Sequence, residues 1–273
     1  MSVLTNHINE LKASEAFTKQ SKIFDAIYNG DKIIQYKRQR IRDHILNYAR
    51  PNDFMLELNC GTGEDALFFA QRGFRVHATD ISSGMLDELK KKVKHIRSES
   101  RISIEQCSFA GLEVLQEKQT FNYIYSSFGG LNCTEELGAV LHSFENLLAT
   151  GGVVTLVIIS KFCLWESLLL FRGRFKTAFR RFFARKGRRA HVEGSFFKCW
   201  YYSPSFIKQQ LQDKYELLSL EGLCTIVPPS YIENFAERYP VLFRFLTARE
   251  NKLKTKWPWN RIGDYFIISF RKK

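Results

Sequence analysis

A glycine-rich turn between two short apolar segments is the feature that most constrains the fold of this chain. Residues 55–63 read MLELNCGTG, and a second apolar segment ends at Asp80, seventeen residues after Gly63. Glycine has no Cβ, so its backbone can adopt positive φ angles and lie directly against a ligand. A carboxylate at the tip of the next parallel strand can accept hydrogen bonds from both hydroxyls of a ribose. Together these features predict a nucleoside-binding crevice at the carboxyl ends of parallel strands.

The charges around this turn indicate the kind of nucleoside. Glu64 and Asp65 directly follow Gly63 and fall in the first turn of the next helix, where a dinucleotide would place its diphosphate. Two carboxylates there would repel a diphosphate, whereas they would attract a ligand that carries an ammonium group. Glu57, inside the first strand, adds a third acid. S-adenosylmethionine, with its sulfonium and ammonium groups, fits this arrangement.

Residues 54–92 resemble the first two motifs of the class I S-adenosylmethionine-dependent methyltransferases. The E/D-x-x-C/G-G-x-G pattern of that family is met at Glu57, Cys60, Gly61 and Gly63, and its ribose-binding acid is met at Asp80. The resemblance extends over residues 40–160 through the segments ISSGML (81–86), YSSFGGLNC (125–133) and LLATGG (147–152). It implies S-adenosylmethionine as the cofactor and S-adenosylhomocysteine as the product.

The resemblance also implies which residues hold the cofactor. Glu57 would bind its methionine moiety, and Asp80 would bind its ribose hydroxyls. Many members of the family have an acid after the third strand, where this chain has Ser108, so we expect Ser108 to lie beside the adenine. The predicted cofactor-binding residues are Glu57, Asn59, Cys60, Gly61, Gly63, Asp80, Ile81, Met85, Ser108, Phe109, Ser126 and Ser127.

The loop after the fourth predicted strand is expected to meet the methyl acceptor. Phe128 followed by two glycines would exclude water and leave room for a substrate. The predicted acceptor-binding residues are Phe17, Tyr28, Phe128, Asn132 and Tyr202. A general base is required only when the acceptor must lose a proton, as a phenol or alcohol does. The sequence does not identify that base, but His191 and Tyr201 are candidates because they lie in or beside a segment predicted to cover the site.

Length and cysteine usage are typical of a cytoplasmic α/β protein. The chain has 273 residues, enough for one large domain with an insertion. Its six cysteines are spread singly without a C-x-x-C pair, so neither a metal site nor a disulfide framework is indicated. The sequence has no run of eighteen apolar residues and does not begin with the pattern of a secretion signal.

Positive charge is concentrated between residues 161 and 200. This segment holds eleven Lys or Arg residues and two acids, within a chain whose net charge is +13. Residues 172–189 contain nine cations and no acid. On a helix, Phe171, Phe175, Phe179 and Phe182 would share one face.

Four interpretations of residues 171–189 are open. An amphipathic basic helix would lie on an anionic membrane surface, which would make the protein peripheral at the membrane. The same face would suit an acidic carrier protein or an acyl chain. RNA is the least favoured partner, because no recognised RNA-binding module accompanies the cations. The fourth interpretation is a cap helix that packs its phenylalanines on the sheet.

Apolar strand-like segments alternate with helical ones through the first 160 residues. We predict strands at 54–59, 75–79, 102–106, 121–126 and 153–159, and helices at 65–72, 84–96 and 135–148. Such alternation indicates α/β architecture with a parallel sheet and right-handed crossovers. The resemblance implies a Rossmann-like, mostly parallel sheet of seven strands with helices on both faces, in which residues 263–270 form the antiparallel strand.

We predict a single methyltransferase domain over residues 1–273. Its parts are a helical lid (1–50), a cofactor-binding core (51–160), a basic aromatic insertion or cap (161–202) and a segment that completes the sheet (203–273). The resemblance and the aromatic content, 24 Phe and 11 Tyr, predict methyl transfer to the oxygen of a small, apolar or lipid-like metabolite. The alternatives are a methyltransferase acting on RNA or protein, and an S-adenosylmethionine-binding protein without catalysis, which Ser108 and Asn122 in place of acids would explain.

Overall fold

The computed structural model describes residues 2–96, 100–173 and 175–273. Its α-helices are α1 (Ser2–Tyr28), α2 (Lys32–Leu46), α3 (Glu64–Ala70), α4 (Ser83–Ile96), α5 (Leu137–Leu147), α6 (Leu164–Leu168), α7 (Phe175–Ala178), α8 (Pro204–Leu211), α9 (Phe235–Arg238) and α10 (Pro240–Leu253). Its strands are β1 (Phe54–Leu58), β2 (Arg75–Asp80), β3 (Ile102–Gln106), β4 (Phe121–Ser126), β5 (Leu148–Ile159), β6 (Arg188–Val192), β7 (Ser195–Cys199), β8 (Tyr215–Leu223) and β9 (Tyr265–Lys272). Within these ranges, no helix has both the length and the hydropathy that crossing a bilayer requires.

Seven strands of the described chain form one sheet in the order β3-β2-β1-β4-β5-β9-β8. β1 pairs in parallel with both β2 and β4, whereas β9 is antiparallel to both of its neighbours. The predicted Rossmann-like, mostly parallel sheet is therefore confirmed, including its antiparallel strand near the C-terminus. Because the strand order reverses between β1 and β4, a crevice opens at their carboxyl ends, where ligands bind in open α/β sheets.

Helices cover both faces of the sheet, because successive residues of a strand point to opposite sides. In β1, Leu56 and Leu58 join a core that includes residues of α5 and α8, whereas Met55 joins a core with residues of α2, α3 and α4. All three side chains are fully buried. Burying each one stabilises the fold by about 1.5–3 kcal/mol. The strand that leads into the glycine turn is thus held from both faces.

Helix α1 packs against the loop after β2 and forms one wall of the crevice. The Ser14 hydroxyl donates a hydrogen bond to the Ile81 carbonyl at 3.2 Å, and the Thr18 and Ser82 hydroxyls are hydrogen-bonded at 2.8 Å. Gly84 allows this close approach, because a Cβ there would lie 2.9 Å from Cγ2 of Thr18. The N-terminal helix is therefore fixed directly to the cofactor-binding core.

The basic segment does not form the continuous helix that an aromatic stripe would require. Helices α6 and α7 are short and are separated by a 3₁₀ turn (Leu169–Arg172) that is followed by Gly173, which has a φ of 70°. Farther along, β6 and β7 form a two-stranded antiparallel hairpin. Phe171 is 89% exposed and Phe183 is 80% exposed, so the interpretation of a cap helix that buries its phenylalanines is wrong. Arg174 lies outside the described residues.

Two arginines of the basic segment are anchored inside the protein. Arg181 is buried, and its guanidinium pairs with Glu166 at 2.6 Å and with Asp264 at 2.5 Å. Arg180 pairs with the same Glu166 carboxylate. Although burial alone would raise the pKa of Glu166, the two guanidinium groups hold it below its usual value. Because Asp264 directly precedes β9, these contacts fix the segment at the carboxyl edge of the parallel strands.

The C-terminal part contains a helix that the sequence did not predict. Two helices form there, the short α9 and then α10, which begins at Pro240. Proline suits the first turn of a helix, because the first backbone N–H groups have no intrahelical partner. Val241 and Phe245 of α10 are exposed. These exposed apolar side chains obscure the periodicity by which a buried helical face is recognised.

Candidate active site

The turn after β1 places bare backbone at the crevice. Asn59 and Gly61 both adopt positive φ angles, 49° and 56°, and a Cβ built on Gly61 would meet no atom within 4 Å. Asn59 also joins two strand tips, because its side chain accepts a hydrogen bond from Ser126 Oγ at 3.0 Å and donates one to the Ser127 carbonyl at 3.3 Å. The main chain at Gly61 is therefore rigidly placed and faces open space.

The Asp80 carboxylate is held at the tip of β2 by two backbone N–H groups. Oδ2 accepts a hydrogen bond from Gly61 at 2.9 Å, and Oδ1 accepts one from Ser82 at 2.8 Å. The side chain is buried, and this burial raises the pKa of Asp80 above its ordinary value. Each carboxylate oxygen has a second lone-pair site, so the group can still accept hydrogen bonds from a diol.

Glu57 is a buried carboxylate on β1 that lines the same crevice. Burial and the neighbouring Asp65 raise its pKa well above the ordinary value, against the opposing influence of Tyr125, Arg38 and Arg42. Its Oε2 accepts no hydrogen bond of normal geometry from the described residues, although the Tyr125 hydroxyl is close enough to favour the charged form. A carboxylate in this state would be stabilised by an ammonium group brought by a ligand.

The sequence suggested that the two acids at the start of α3 would present free negative charge to a ligand, but both are paired with cations of other helices. Asp65 is buried and pairs with Arg42 of α2 at 2.7 Å. Glu64 pairs with Lys92 of α4 at 2.7 Å. The attraction for a cationic ligand in this part of the crevice therefore comes from Glu57, whereas Asp65 and Glu64 join α3 to α2 and α4.

The crevice has two lobes that share a wall. The first lobe, about 150 Å³, lies beside Asp80. Its lining residues are Glu10, Ala13, Ser14, Phe17, Phe24, Asn59, Gly61, Asp80, Ile81, Met85, Phe109, Ser127, Phe128, Gly130 and Cys133. The apolar side chains of Ile81, Met85 and Phe109 suit the faces of an adenine ring, and the Asp80 carboxylate suits a ribose.

Glu10 of α1 brings a carboxylate to the first lobe that the sequence analysis did not anticipate. Its side chain is buried, and its Oε2 accepts a short hydrogen bond of 2.5 Å from the Ser108 hydroxyl. Ser108 also accepts a hydrogen bond from the Ala110 N–H and does not line the lobe itself. An acid from the N-terminal helix thus lies next to the position where many members of the family carry one after the third strand.

The second lobe, about 300 Å³, lies beside Glu57. Its lining residues are Phe17, Phe24, Tyr28, Ile34, Lys37, Arg38, Glu57, Asn59, Cys60, Gly61, Thr62, Glu64, Asp65, Ser127, Phe128, Val192, Ser230 and Tyr265. The predicted acceptor-binding residues Phe17, Tyr28 and Phe128 meet here. Burial raises the pKa of the Cys60 thiol well above its ordinary value, which keeps it protonated.

Several predicted site residues lie elsewhere. Gly63 packs against α4, where a Cβ would come within 2.1 Å of Leu89, so its role is close helix packing. The Ser126 hydroxyl is used by Asn59. The Asn132 amide is fully buried and bonds to the main chain at Ile159 and Trp200, so it ties loops together and does not reach an acceptor.

The two candidate bases and Tyr202 are also outside the crevice. On β6, side chains alternate between the two sides, so Val192 lines the second lobe whereas His191 is exposed and packs against the Phe196 ring in a tilted arrangement. Tyr201 lies next to the Arg181 guanidinium in a separate cleft. The Tyr202 hydroxyl donates to the Thr134 carbonyl. Neither His191 nor Tyr201 is placed to take a proton from an acceptor in the crevice.

The residues of the crevice fit S-adenosylmethionine. Oε2 of Glu57 and Oγ of Ser127 are buried polar atoms that lack a hydrogen-bond partner of normal geometry in the described part of the chain. The amino acid moiety of the cofactor carries an ammonium and a carboxylate that would satisfy such atoms. Asp80 offers acceptor sites for a ribose, and the main chain at Gly61 leaves room for the ligand between these two acids.

Comparison with known proteins agrees with this geometry. A family model described as a methyltransferase domain matches residues 55–152. No curated protein matches the sequence. Similar solved structures include a putative S-adenosylmethionine-dependent methyltransferase from Listeria monocytogenes, at 17% identity and a TM-score of 0.61, with 89% of this chain and 99% of that chain covered.

Two further structures share the fold. The 1,6-didemethyltoxoflavin-N1-methyltransferase of Burkholderia thailandensis, with bound 1,6-didemethyltoxoflavin and S-adenosylhomocysteine, is 13% identical with a TM-score of 0.58 and covers 98% of this chain and 90% of its own. The CcbJ methyltransferase of Streptomyces caelestis is 15% identical with a TM-score of 0.59, and the alignment covers 87% of this chain and 96% of that chain. The chain therefore contains a methyltransferase domain with the fold of the class I S-adenosylmethionine-dependent enzymes.

Proposed function

We propose that this protein transfers a methyl group from S-adenosylmethionine to an oxygen atom of a small, apolar or lipid-like metabolite. The observation that carries the proposal is the second lobe, an aromatic cavity that begins beside the Glu57 carboxylate. Its volume of about 300 Å³ is in the range of sites that enclose small ligands. The aromatic side chains on its walls are Phe17, Phe24, Tyr28, Phe128 and Tyr265.

The residues of the two lobes would divide the work of binding. S-adenosylmethionine, when bound, supplies a methyl group made electrophilic by the sulfonium. Glu57 would pair with its ammonium, and Asp80 would accept hydrogen bonds from its ribose. Holding an acceptor in line with the methyl group is the main contribution that such a site makes, up to about 7–11 kcal/mol in favourable cases. Phe17 and Phe128 line both lobes and would keep water away from that line.

Two cationic side chains favour oxygen over nitrogen as the atom that is methylated. Lys37 and Arg38 are both buried and both line the second lobe. A basic amine reaches the protein as an ammonium ion, which two buried cations would repel. A phenol, an enol or another oxygen acid carries no positive charge and, when ionised, is attracted to them.

The proposal is tested by tracing the methyl group. The purified protein is incubated with methyl-labelled S-adenosylmethionine and a cell extract divided into organic-soluble metabolites, RNA and protein, with the Glu57→Gln variant as the control. We expect the label in the organic-soluble fraction, on an oxygen atom by mass spectrometry, and a much weaker signal with the variant. Label in RNA or protein would contradict the proposal, and no label despite tight S-adenosylhomocysteine binding would support a binding protein without catalysis.

A further inference from the structure

A buried ammonium on α2 reaches the second lobe, and a hydroxyl is its only hydrogen-bond partner among the described residues. Lys37 is 3% exposed, and its Nζ donates a hydrogen bond to Ser230 Oγ at 3.1 Å and lies 5.0 Å from the centroid of the Tyr265 ring. No carboxylate of residues 2–96, 100–173 or 175–273 forms an ion pair with it within 4.0 Å. Burial acts to lower the pKa of Lys37, but the surrounding groups, Tyr265 foremost, raise it above the ordinary value.

The two acids of α3 that line the second lobe already have cationic partners. Asp65 pairs with Arg42 at 2.7 Å and more loosely with Arg38 at 3.4 Å. Glu64 pairs with Lys92 at 2.7 Å. Lys37 has no ion-pair partner within 4.0 Å among the described residues, so its ammonium would gain a close partner from an anion placed in the lobe.

We propose that the methyl acceptor is an oxyanion, such as a phenolate or an enolate, and that Lys37 binds the oxygen to be methylated. This inference rests on the proposed function of the crevice. A lone pair of the oxygen forms the new O–CH₃ bond, and the electrons of the S–CH₃ bond return to sulfur. The anion and the sulfonium thus become a neutral ether and a neutral thioether, and no proton has to be removed.

This assignment explains how the crevice can work without a histidine. None of the described residues that line either lobe is a histidine, and His191 and Tyr201 lie outside. Lys37 would favour the ionised form of an acidic acceptor before the reaction begins, because an adjacent positive charge lowers the pKa of a neighbouring acid. The proton then leaves to solvent during binding, and the lysine acts as an acceptor-binding residue.

The test compares a charged probe with a neutral one of similar shape. Binding of 4-nitrophenolate and of nitrobenzene is measured by calorimetry in the presence of saturating S-adenosylhomocysteine, at a pH where the phenol is ionised. We expect Lys37→Met to weaken nitrophenolate binding about 10–100-fold while nitrobenzene binding stays unchanged. Lys37→Arg should retain most of the nitrophenolate affinity, and Lys214→Met, a change at an exposed lysine, should retain all of it.

The result is separable from a failure of the proposed function. Affinity for S-adenosylhomocysteine, measured on the same samples, tests the cofactor site alone and should be unaffected by Lys37→Met. Native protein that binds S-adenosylhomocysteine but not nitrophenolate would overturn the inference. An equal loss of affinity for nitrophenolate and for nitrobenzene in Lys37→Met would also overturn the inference, because it would show that the lysine affects binding through the shape of the lobe.

A second inference rests on the exposed part of the insertion. The basic aromatic surface consists of five exposed phenylalanines, Phe171, Phe175, Phe179, Phe182 and Phe183, and five exposed cations, Lys176, Arg185, Lys186, Arg188 and Arg189. Arg180 and Arg181 are not part of it, because Glu166 and Asp264 hold them. Large aromatic side chains that protrude into solvent among cations are unusual and mark an interaction surface.

We propose that the basic aromatic surface docks on an anionic lipid bilayer. Rings that enter the interface bury apolar area, and each cation near an anionic surface contributes about 1 kcal/mol. The anchoring of Arg181 to Asp264 fixes this surface at the edge of the sheet where the second lobe lies, since Asp264 adjoins the lobe residue Tyr265. A lipid-like acceptor would then reach the crevice from the surface on which the protein rests.

Vesicle sedimentation tests this docking. Phosphatidylcholine vesicles are compared with vesicles that also contain phosphatidylglycerol, with a purified acidic carrier protein as a competing partner. We expect sedimentation with the anionic vesicles alone, a loss of at least tenfold in affinity for the double variant Phe171→Ser, Phe183→Ser, and no change for Val114→Ser, an exposed apolar residue elsewhere. Equal binding to both vesicle types, or binding to the carrier protein in preference to either, would overturn the inference.

Discussion

Replacing Glu57 by glutamine should move protein stability and cofactor affinity in opposite directions. Glutamine has nearly the same shape as glutamate, but it carries no charge. Because burial raises the pKa of Glu57 in the folded state, the native protein loses stability as the pH rises through that pKa. Each unit by which the pKa is raised corresponds to about 1.4 kcal/mol, and Glu57→Gln removes this loss. The free variant should therefore be at least as stable as the native protein near neutral pH.

The cofactor-bound variant should show the opposite effect. A hydrogen-bonded charge pair with the ligand ammonium contributes about 1.5–3 kcal/mol, so its loss should weaken binding about 10–150-fold. At a ligand concentration 100 times the native Kd, the native protein gains about 2.7 kcal/mol of stability. At the same concentration the variant would gain about 0.3–1.3 kcal/mol.

Thermal unfolding with and without S-adenosylhomocysteine measures both effects. For a chain of this size, 1 kcal/mol corresponds to about 2–4 °C in Tm, so the ligand-induced shift should fall from about 5–11 °C to about 1–5 °C. The matched control is Glu221→Gln, which lies outside the crevice and breaks a buried pair with Arg40. It should lower the Tm of the free protein and leave the ligand-induced shift unchanged. A Glu57→Gln protein that is less stable when free and shows the full native shift would refute the reasoning.

Three further predictions concern the fold. The Glu221 carboxylate is buried, yet its cationic neighbours lower its pKa to about 2. It therefore contributes about 3 kcal/mol of stability that is present above the unfolded pKa and is lost as the pH falls from about 4.5 toward 2. The free energy of unfolding, measured with urea at several pH values in this range, should depend less steeply on pH in Glu221→Gln than in the native protein. Gly63→Ala should lower the free energy of unfolding by about 1–3 kcal/mol, because the new methyl group would collide with Leu89 and because alanine is strained at the positive φ of this position. An unchanged urea midpoint would show that Gly63 does not pack closely against Leu89. Gly84→Val should push against Thr18 and loosen α1, so limited trypsin digestion should release the N-terminal helix faster while the core stays intact; equal rates for both proteins would count against the lid packing.

The local parts of the site were predictable from the sequence, whereas the parts contributed by distant helices were not. The path from Glu57 through the glycine turn to Asp80 depends on neighbouring strands and short-range backbone geometry, and it follows from the motif. Glu10 and Lys37 come from helices outside the motif, and their positions depend on how α1 and α2 pack over the sheet. Single acids and lysines on amphipathic helices give no signal that separates a site residue from a surface one.

The structure places the predicted base His191 outside the crevice for a simple physical reason. His191 was selected because it follows the basic segment, but a shift of one residue along a strand reverses the direction of the side chain. Its neighbour Val192 lines the second lobe, and His191 faces solvent. The acids of α3 were misjudged for a similar reason, since the arginine and lysine partners of Asp65 and Glu64 lie on other helices.

The central claim is that an adenosyl ligand binds between the tips of β1 and β2, with its ribose on Asp80. Calorimetric titration of S-adenosylhomocysteine into the native protein and into Asp80→Asn measures this directly, with thermal unfolding as the check that the variant is folded. We predict one site per chain in the native protein and an affinity about 10–150-fold lower in the variant. Absence of binding to the native protein, or equal affinity in a folded variant, would contradict the claim.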